Sequence, residues 1–375
     1  MRKHIIYRYF LFLSLVGLMQ LTFSCSSSSN EIEPLKPEGE DASLEKDEYT
    51  FMNVEYRKWQ NGTFQAWTTA DSRETRTIDN MNWYTPSSGY SRTAWGGRIG
   101  LQPSSVVGKE GFFRVANCGG RSYLLDPDNG AVIIHGIQHV RPGESTAHKK
   151  AFGTRYGSEA RWSEETGKLL ADNHINYISY GSNRIEVFPA AVRGNLLTPK
   201  TQKIAYAENL YLLRTFMWDM SKNLGYAFDD DKYNRLVLLF EPTFATYIDR
   251  LVQEKSALFA GDRHFIGFYL DNELPFASYQ GTGYANTEGG GWLVHTQKNR
   301  GEFYQNFCLR LLETRNCVGW VHFEYNDGYD SNGKASNKGV VSIEYEPYES
   351  FLSQMRQLNL SVHSLIDYYD TKSVQ

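Results

Sequence analysis

From residue 131 onward the chain alternates strand-like runs with segments of helical period, and this alternation constrains its fold more than any other feature. Residues 131–140 (AVIIHGIQHV), 175–180, 210–218 and 265–270 (FIGFYL) are short, apolar and rich in β-branched or aromatic side chains, as strands buried on both faces are. Residues 163–172 and 243–257 read as helices; in the second, Phe244, Tyr247, Ile248 and Leu251 recur at helical spacing. A helix at 296–312 carries Phe303, Phe307 and Leu311 on one face, and a further strand follows at 316–325 (NCVGWVHFEY). Residues 347–369 close the chain as a long amphipathic helix, with Phe351, Met355, Leu358, Val362, Leu365 and Tyr369 in step. Residues 235–240 fit either an added strand or a connection. Each helical crossover returns the chain to the same end of the sheet, so the strands are expected to be parallel. The expected class is α/β, a (β/α)8-type barrel that is incomplete, preceded by a small β-rich lead-in at residues 49–129. There short strands are broken by Asn61-Gly62, Gly96-Gly97 and Gly119-Gly120, and residues 112–115 and 122–125 should pair as a hairpin.

The run FIGFYLDNELPF sets Asp271, Asn272 and Glu273 in a row at the end of a strand, just before Pro275. Three polar groups inside a sheet would be costly to bury. They are therefore expected at the open C-terminal mouth of a parallel strand, where barrels of this class keep their chemistry. An Asn followed directly by a Glu suits acid/base work on sugars: the Glu protonates the departing oxygen while the Asn holds the neighbouring hydroxyl. A strand that simply ends in a polar loop is the plainer alternative. His135 and His139 share a strand face but have no third ligand near them in the sequence, and Asp229 to Asp231 lack the alternating spacing of a calcium loop, so no metal is expected. No cofactor motif is present and no cofactor is expected. Cys118, Cys308 and Cys317 show no CxxC or Cys/His spacing and read as small buried thiols.

A net charge of −4 and a pI near 6.2 argue against a nucleic-acid-binding surface. The 25 Tyr, 21 Phe and 8 Trp suit a protein that stacks sugar rings, though an aromatic-rich core needs them equally. The first residues carry positive charge, residues 5–23 are mostly apolar, and Ser24-Cys25 follows. This reads as a signal peptide at residues 1–24 and a lipid-modified Cys25, with a plain cleaved secretory signal as the alternative. Residues 25–48 form a flexible linker in which eight acids after residue 30 face only Lys36 and Lys46. The expected location is the cell envelope, with the protein lipid-anchored to a bacterial membrane on its periplasmic or surface face. Residues 130–375 form the barrel-type domain.

Four blocks of sequence point to a family. FFRVANCGGRSYLLDPDNGAVIIHGIQHVRPG, HFIGFYLDNELPF, YANTEGGGWLVHTQKNRGEFYQNFCLRLLETRNCVGWVHFEYND and SNKGVVSIEYEPYESFLSQMRQLN each resemble segments of the agarase-like glycoside hydrolases, which have a (β/α)8 barrel. The resemblance covers residues 111–369 in blocks. It implies a retaining hydrolase of β-linked polysaccharide, with Glu273 as general acid/base and Asn272 as the neighbouring hydroxyl contact. It implies further substrate contacts from Gln138, standing where the family has Asn, and from His139, Trp292 and Trp320; the second Trp expected after Trp320 is His322 here.

Two departures follow from counting. Only 44 residues separate Glu273 from Cys317, whereas three βα units need on the order of 90, so the fifth to seventh units are expected to be deleted. The family's nucleophilic Glu precedes a loop that here begins after ASYQGTGY (277–284), which holds no acid. Glu288 lies inside that loop, at a position the family does not use for catalysis; Glu324, expected on the strand face of Trp320 and His322, is the nearby candidate substitute, although a solvated or ion-paired strand-end Glu is the better reading of it. The sequence therefore describes an agarase-like glycoside hydrolase, or a derivative of one, with its nucleophile missing and its hydrolysis poor. The alternative is a non-catalytic, polysaccharide-binding lipoprotein of the cell surface. Oligomeric state is left open.

Overall fold

The structure is a computed structural model that describes residues 48–60, 63–87, 89–182, 204–224, 240–271, 292–329 and 335–372. The expected signal peptide, Cys25 and the linker up to residue 47 lie outside the described residues, as do Asn272, Glu273 and most of residues 235–240.

The lead-in is β-rich, as its turn-punctuated sequence requires. Strand β1 (Met52–Gln60) pairs antiparallel with β2 (Thr63–Phe64) and β3 (Asp71–Thr75). Strands β4 (Ser105–Val107), β5 (Arg114–Cys118), β6 (Arg121–Leu125) and β7 (Ala131–Val132) then form an antiparallel meander, and β5–β6 is the expected hairpin. The α/β part begins at β8 (Ile134–Ile137), followed by helices α1 (Thr146–Arg155) and α2 (Glu159–Asp172). Next come β9 (Tyr177–Ile178), β10 (Ala205–Asn209), α3 (Leu212–Leu224), α4 (Phe244–Leu258) and β11 (Phe265–Tyr269). The chain ends with β12 (Trp292–Val294), α5 (Gln297–Glu313), β13 (Gly319–His322), the short β14 (Gly328–Tyr329) and β15 (Ala335–Ser336), and α6 (Glu349–Lys372).

Five strands form one parallel sheet in the order β11-β10-β9-β8-β13. This is the order fourth, third, second, first, last that the alternating pattern and the resemblance imply. Among the described residues β11 and β13 are its edges, so the sheet is open there and not closed into a barrel. Strand β12 joins the lead-in instead, pairing antiparallel with β1.

Two expectations are corrected. Residues 210–218 are not the third strand: the strand is β10, and Leu212 onward is helix α3. Leu213, Phe216 and Met217 are buried together against Phe244 and Tyr247 of α4, which is the spacing of a helix face. Strand β10 reads AYAEN, and its inward Ala205 and Ala207 are too small to signal a strand; their space is filled by Tyr177, Ile266 and Tyr269. Helix α1 was not anticipated because TAHKKAFGTR carries no apolar stripe; Ser145 caps it by accepting from the His148 N–H.

The sheet has two packed faces. Its inner face (Ile134, Tyr177, Ala205, Ala207) is covered at one end by Trp95, Phe113 and Leu124 of the lead-in. Its outer face (Ile137, Ile178, Tyr206) packs under Trp162 and Leu170 of α2 and Phe351, Leu352 and Met355 of α6. Each such fully buried side chain contributes roughly 2 kcal/mol through removal from water. Helices α5 and α6 lie close because Gly301 faces Gln354; a Cβ there would sit 2.6 Å from the Gln354 Cβ. The lead-in is fastened to the same helices by polar contacts as well as apolar ones. Buried Arg121 pairs with Asp370 at 2.6 Å and donates to the Leu312 carbonyl at 2.7 Å, buried Arg76 pairs with Glu313 at 2.7 Å, and the Tyr49 and Tyr369 hydroxyls meet at 2.5 Å.

Candidate functional site

The C-terminal ends of the five parallel strands converge on one mouth, which is where the chemistry of such a sheet is expected. From the end of β8 come Gln138 and His139, both half-buried. Gln138 is fixed by its backbone, which donates to the His322 carbonyl at 3.0 Å and accepts from the Tyr325 N–H at 3.0 Å. His139 Nδ1 lies 3.1 Å from Glu324 Oε2, just past the end of β13. The two are 185 residues apart, and the parallel β8–β13 pairing brings them together. Gly181, just past β9, completes this wall: with φ of 74° it presses so close to His139 that a Cβ would lie 2.4 Å from His139 Cδ2.

The other side of the mouth is aromatic. The Tyr180 ring stands edge-on to Tyr269 at 4.7 Å and to Tyr211 at 6.3 Å, and below them the Tyr177 hydroxyl donates to the Tyr269 hydroxyl at 3.2 Å. Burial and the neighbouring Tyr269 push the Tyr177 phenol above its usual range, so it remains a hydroxyl. Asn209 Oδ1 accepts from the Tyr211 N–H at 2.8 Å, and Asp271 Oδ2 accepts from the Leu213 N–H at 2.8 Å, where a carboxylate favours the first turn of α3. His139 (φ 55°) and Tyr211 (φ 48°) are both held in the left-handed region, which costs a side-chain-bearing residue of order 1–3 kcal/mol. Such strain persists where surrounding contacts impose it, and here both instances sit at strand ends facing the mouth.

Several expected site residues fall elsewhere. Trp320 is 7% exposed; its indole N–H donates to Tyr304 Oη at 2.6 Å and its ring stacks on His135 at 5.1 Å. It packs between sheet and helices and presents no open face to a sugar. His322 shares that face, 5.1 Å from Phe351 of α6, and burial, followed by the charge of Arg300, lowers its imidazole to about 3, so it is neutral. Glu324 does not continue the face of these two residues. It lies past the end of β13, its N–H donates to the Lys338 carbonyl, and its carboxylate turns to His139 at the mouth. The backbone of Trp292 lies in β12 opposite Lys58. Asn272 and Glu273 follow Asp271 directly and lie outside the described residues. His135 faces the helices while His139 faces the mouth, so they do not form a pair, and among the described residues no three His, Cys, Asp or Glu are placed to hold a metal. Tyr180, Tyr211 and Gly181 were not anticipated. Their signal was an aromatic or Gly just past a strand end, as in YISYGS and ENLYLL.

No protein-family model and no curated protein sequence matches the chain. Among solved structures, BpGH50 superposes with a TM-score of 0.68 at 18% identity, over 86% of this chain and 96% of that one. The chain shares a glycoside-hydrolase-like fold with BpGH50. The match takes in nearly the whole of BpGH50, so the two have a frame in common and not a single motif. Also similar, at a TM-score of 0.44, are an agarase, AgWH50C (13% identity, 75% of this chain and 67% of that one), and an exo-beta-agarase (11%, 76% and 68%).

Proposed function

We propose that this chain is an agarase-like glycoside hydrolase that takes a β-linked polysaccharide into the mouth of its parallel sheet and turns it over slowly. One observation carries the reading. Five parallel strands in the order fourth, third, second, first, last bring Gln138, His139, Tyr180, Tyr211 and Glu324 to the same end of the sheet as Asp271, the residue that precedes Asn272-Glu273 in the sequence. In this reading Glu273 protonates the departing glycosidic oxygen, Asn272 holds the adjacent hydroxyl, and the tyrosine rings receive the apolar faces of the sugars. Double displacement needs a second carboxylate about 5–5.5 Å from the first. Besides Glu208 near the end of β10, which bears on Tyr177 electrostatically, the described acids at the mouth are two: Asp271, held by the Leu213 N–H, and Glu324, held by His139. Neither is free to attack without giving up that partner, and this is the reason for slow turnover. The same observation favours the second reading, a surface protein that binds the polysaccharide without cutting it.

The test is product release from agarose, porphyran and related galactans at high protein concentration, alongside calorimetric binding of their oligosaccharides. Slow release that disappears in Glu273→Gln supports the hydrolase. Loss in both Glu273→Gln and Glu324→Gln would make Glu324 the nucleophile. Binding without release, weakened by Tyr211→Ala, supports the second reading, and absence of both binding and release overturns the proposal. A lipid anchor at Cys25, holding the protein to the cell envelope, belongs to the same proposal. Cys25→Ala should move the protein out of the membrane fraction, and unchanged fractionation and processing would refute the anchor. Among the described residues no helix is long and apolar enough to cross a membrane.

A further inference from the structure

At the opposite end of the sheet from the mouth lies a cavity of about 170 Å³ between the start of β8, the entry to β9, the 92–96 segment and α6. The groups that line it are unusual in two respects. Every ionisable side chain among them is a base: Arg92, His135, His174 and His363. Three nearly completely buried side chains also leave a polar atom there without a hydrogen-bond partner: His135 Nε2 (residue 5% exposed), His363 Nδ1 (2%) and Asn359 Oδ1 (1%).

The roles of these atoms follow from what their other ends do. His135 Nδ1 faces the His174 carbonyl and His363 Nε2 faces the Gly96 carbonyl, each at 3.4 Å, so each of those nitrogens carries the proton. Asn359 donates from Nδ2 to the Asn173 carbonyl at 2.9 Å. The three unpartnered atoms are therefore acceptors in the neutral protein. Arg92 is the reverse case: half-buried, it donates to the Leu360 carbonyl at 3.0 Å, and no described carboxylate pairs with it. Unpaired buried acceptors are costly, and a half-buried cation with no carboxylate beside it favours negative charge. The occupant that relieves both carries negative oxygen for Arg92 and at least one hydroxyl proton for the facing acceptors.

We propose that this cavity binds a partly protonated oxyanion, namely inorganic hydrogen phosphate. At neutral pH phosphate has both kinds of oxygen, whereas sulfate has no proton to donate and would set bare oxygens against the two imidazole lone pairs. The charged and titratable groups around the imidazoles are Arg92 and His174, Tyr90 and Arg98 on the lead-in side, Asp172 at the end of α2, and Arg356 and Asp367 on α6. Of the two acids neither lines the cavity, and Asp367 is engaged by Arg98 at 2.6 Å and by the Tyr90 hydroxyl at 2.7 Å. Burial lowers His135 to about 3 and His363 to about 4, so both remain acceptors at neutral pH.

The test is calorimetry and thermal shift on the full chain at pH 7.5 with inorganic phosphate, glycerol 2-phosphate or sulfate, at ionic strength matched with chloride. Saturable binding of phosphate is expected, with sulfate at least about tenfold weaker; glycerol 2-phosphate, mostly without a P–OH at this pH, should also bind more weakly than phosphate, and its preference over phosphate would overturn the proposal. Arg92→Gln should weaken binding by roughly tenfold or more, the scale of one charged hydrogen bond. His363→Gln serves as a second variant, and the unliganded circular dichroism of both reports folding. Equal binding of phosphate and sulfate, or no saturable shift beyond matched chloride, overturns the proposal on the wild-type protein alone. Neither outcome bears on glycan binding, which occupies the other end of the sheet.

Discussion

Position 181 shows how a single residue shapes the mouth. Its φ of 74° and the 2.4 Å approach that a Cβ would make to His139 leave room only for hydrogen. Gly181→Ala must therefore displace the His139 ring from Glu324 or shift the loop after β9. Urea denaturation should show a loss of about 1–3 kcal/mol, together with weaker oligosaccharide binding. Gly153 in α1 is the control, because nothing lies within 4 Å of a Cβ there. Gly153→Ala should be neutral or stabilising by up to ~1 kcal/mol. If the two substitutions behave alike, the packing of His139 against Gly181 does not hold the mouth. At this scale Gln138 and His139 were legible as strand-end residues and Glu324 only as a candidate, because no local pattern encodes a contact across 185 residues. Trp320 misled for the same reason: a Trp in a strand looks identical whether its face meets solvent or a helix.

Helix α6 is the element that joins lead-in and sheet. Leu358, Val362, Leu365 and Ile366 bury against both, and Asp370 near its end receives Arg121 from β6. Arg121 is fully buried, and its guanidinium reaches both oxygens of Asp370 as well as the Leu312 carbonyl. Without Arg121 the Leu312 carbonyl loses its donor and Asp370, 27% exposed, keeps only Arg315 at 3.3 Å, so Arg121→Ala should cost roughly 2 kcal/mol in urea denaturation. The paired change Arg121→Met with Asp370→Leu should recover much of that loss, because it removes both charges together. A single Arg121→Ala within about 0.5 kcal/mol of wild type would show that the ion pair does not fasten the lead-in. Helices α2, α4, α5 and α6 were readable from their apolar stripes. Strand β10 was not, because its two inward positions are alanines.

At the level of the whole molecule, two buried imidazoles and one half-buried imidazole link stability to pH. Burial is the largest cause in each case and lowers His135 and His322 to about 3 and His363 to about 4. In the unfolded chain each binds a proton near 6.5. Between those values the unfolded state holds more protons than the folded one, so stability rises with pH and is lost as pH falls below 6.5. The expected loss is about 1.4 kcal/mol per pH unit for each imidazole. Burial raises Asp126 and Asp327 as well, and they act in the opposite sense. Urea midpoints measured from pH 7.5 to 5 should fall steeply below 6.5, and His322→Gln should flatten the curve by one proton. A midpoint unchanged over that range would mean that the imidazoles protonate freely in the fold.

The sequence by itself determined the elements whose signal is local. Parallel strands separated by amphipathic helices, the β5–β6 hairpin, the closing helix and the strand that runs into Asp271 all follow from period, turn chemistry and the cost of burying polar groups. Tertiary structure alone decided which faces of those elements meet. It set Trp320 and His322 against helices, joined His139 to Glu324, drew Tyr180, Tyr211 and Tyr269 together, and left three bases and Arg92 around one cavity. Hydrophobic period specifies that a residue is buried but not against what, because burial is rewarded by area removed from water regardless of the partner. Partners are fixed only when strand order and register are fixed, and those depend on the whole chain.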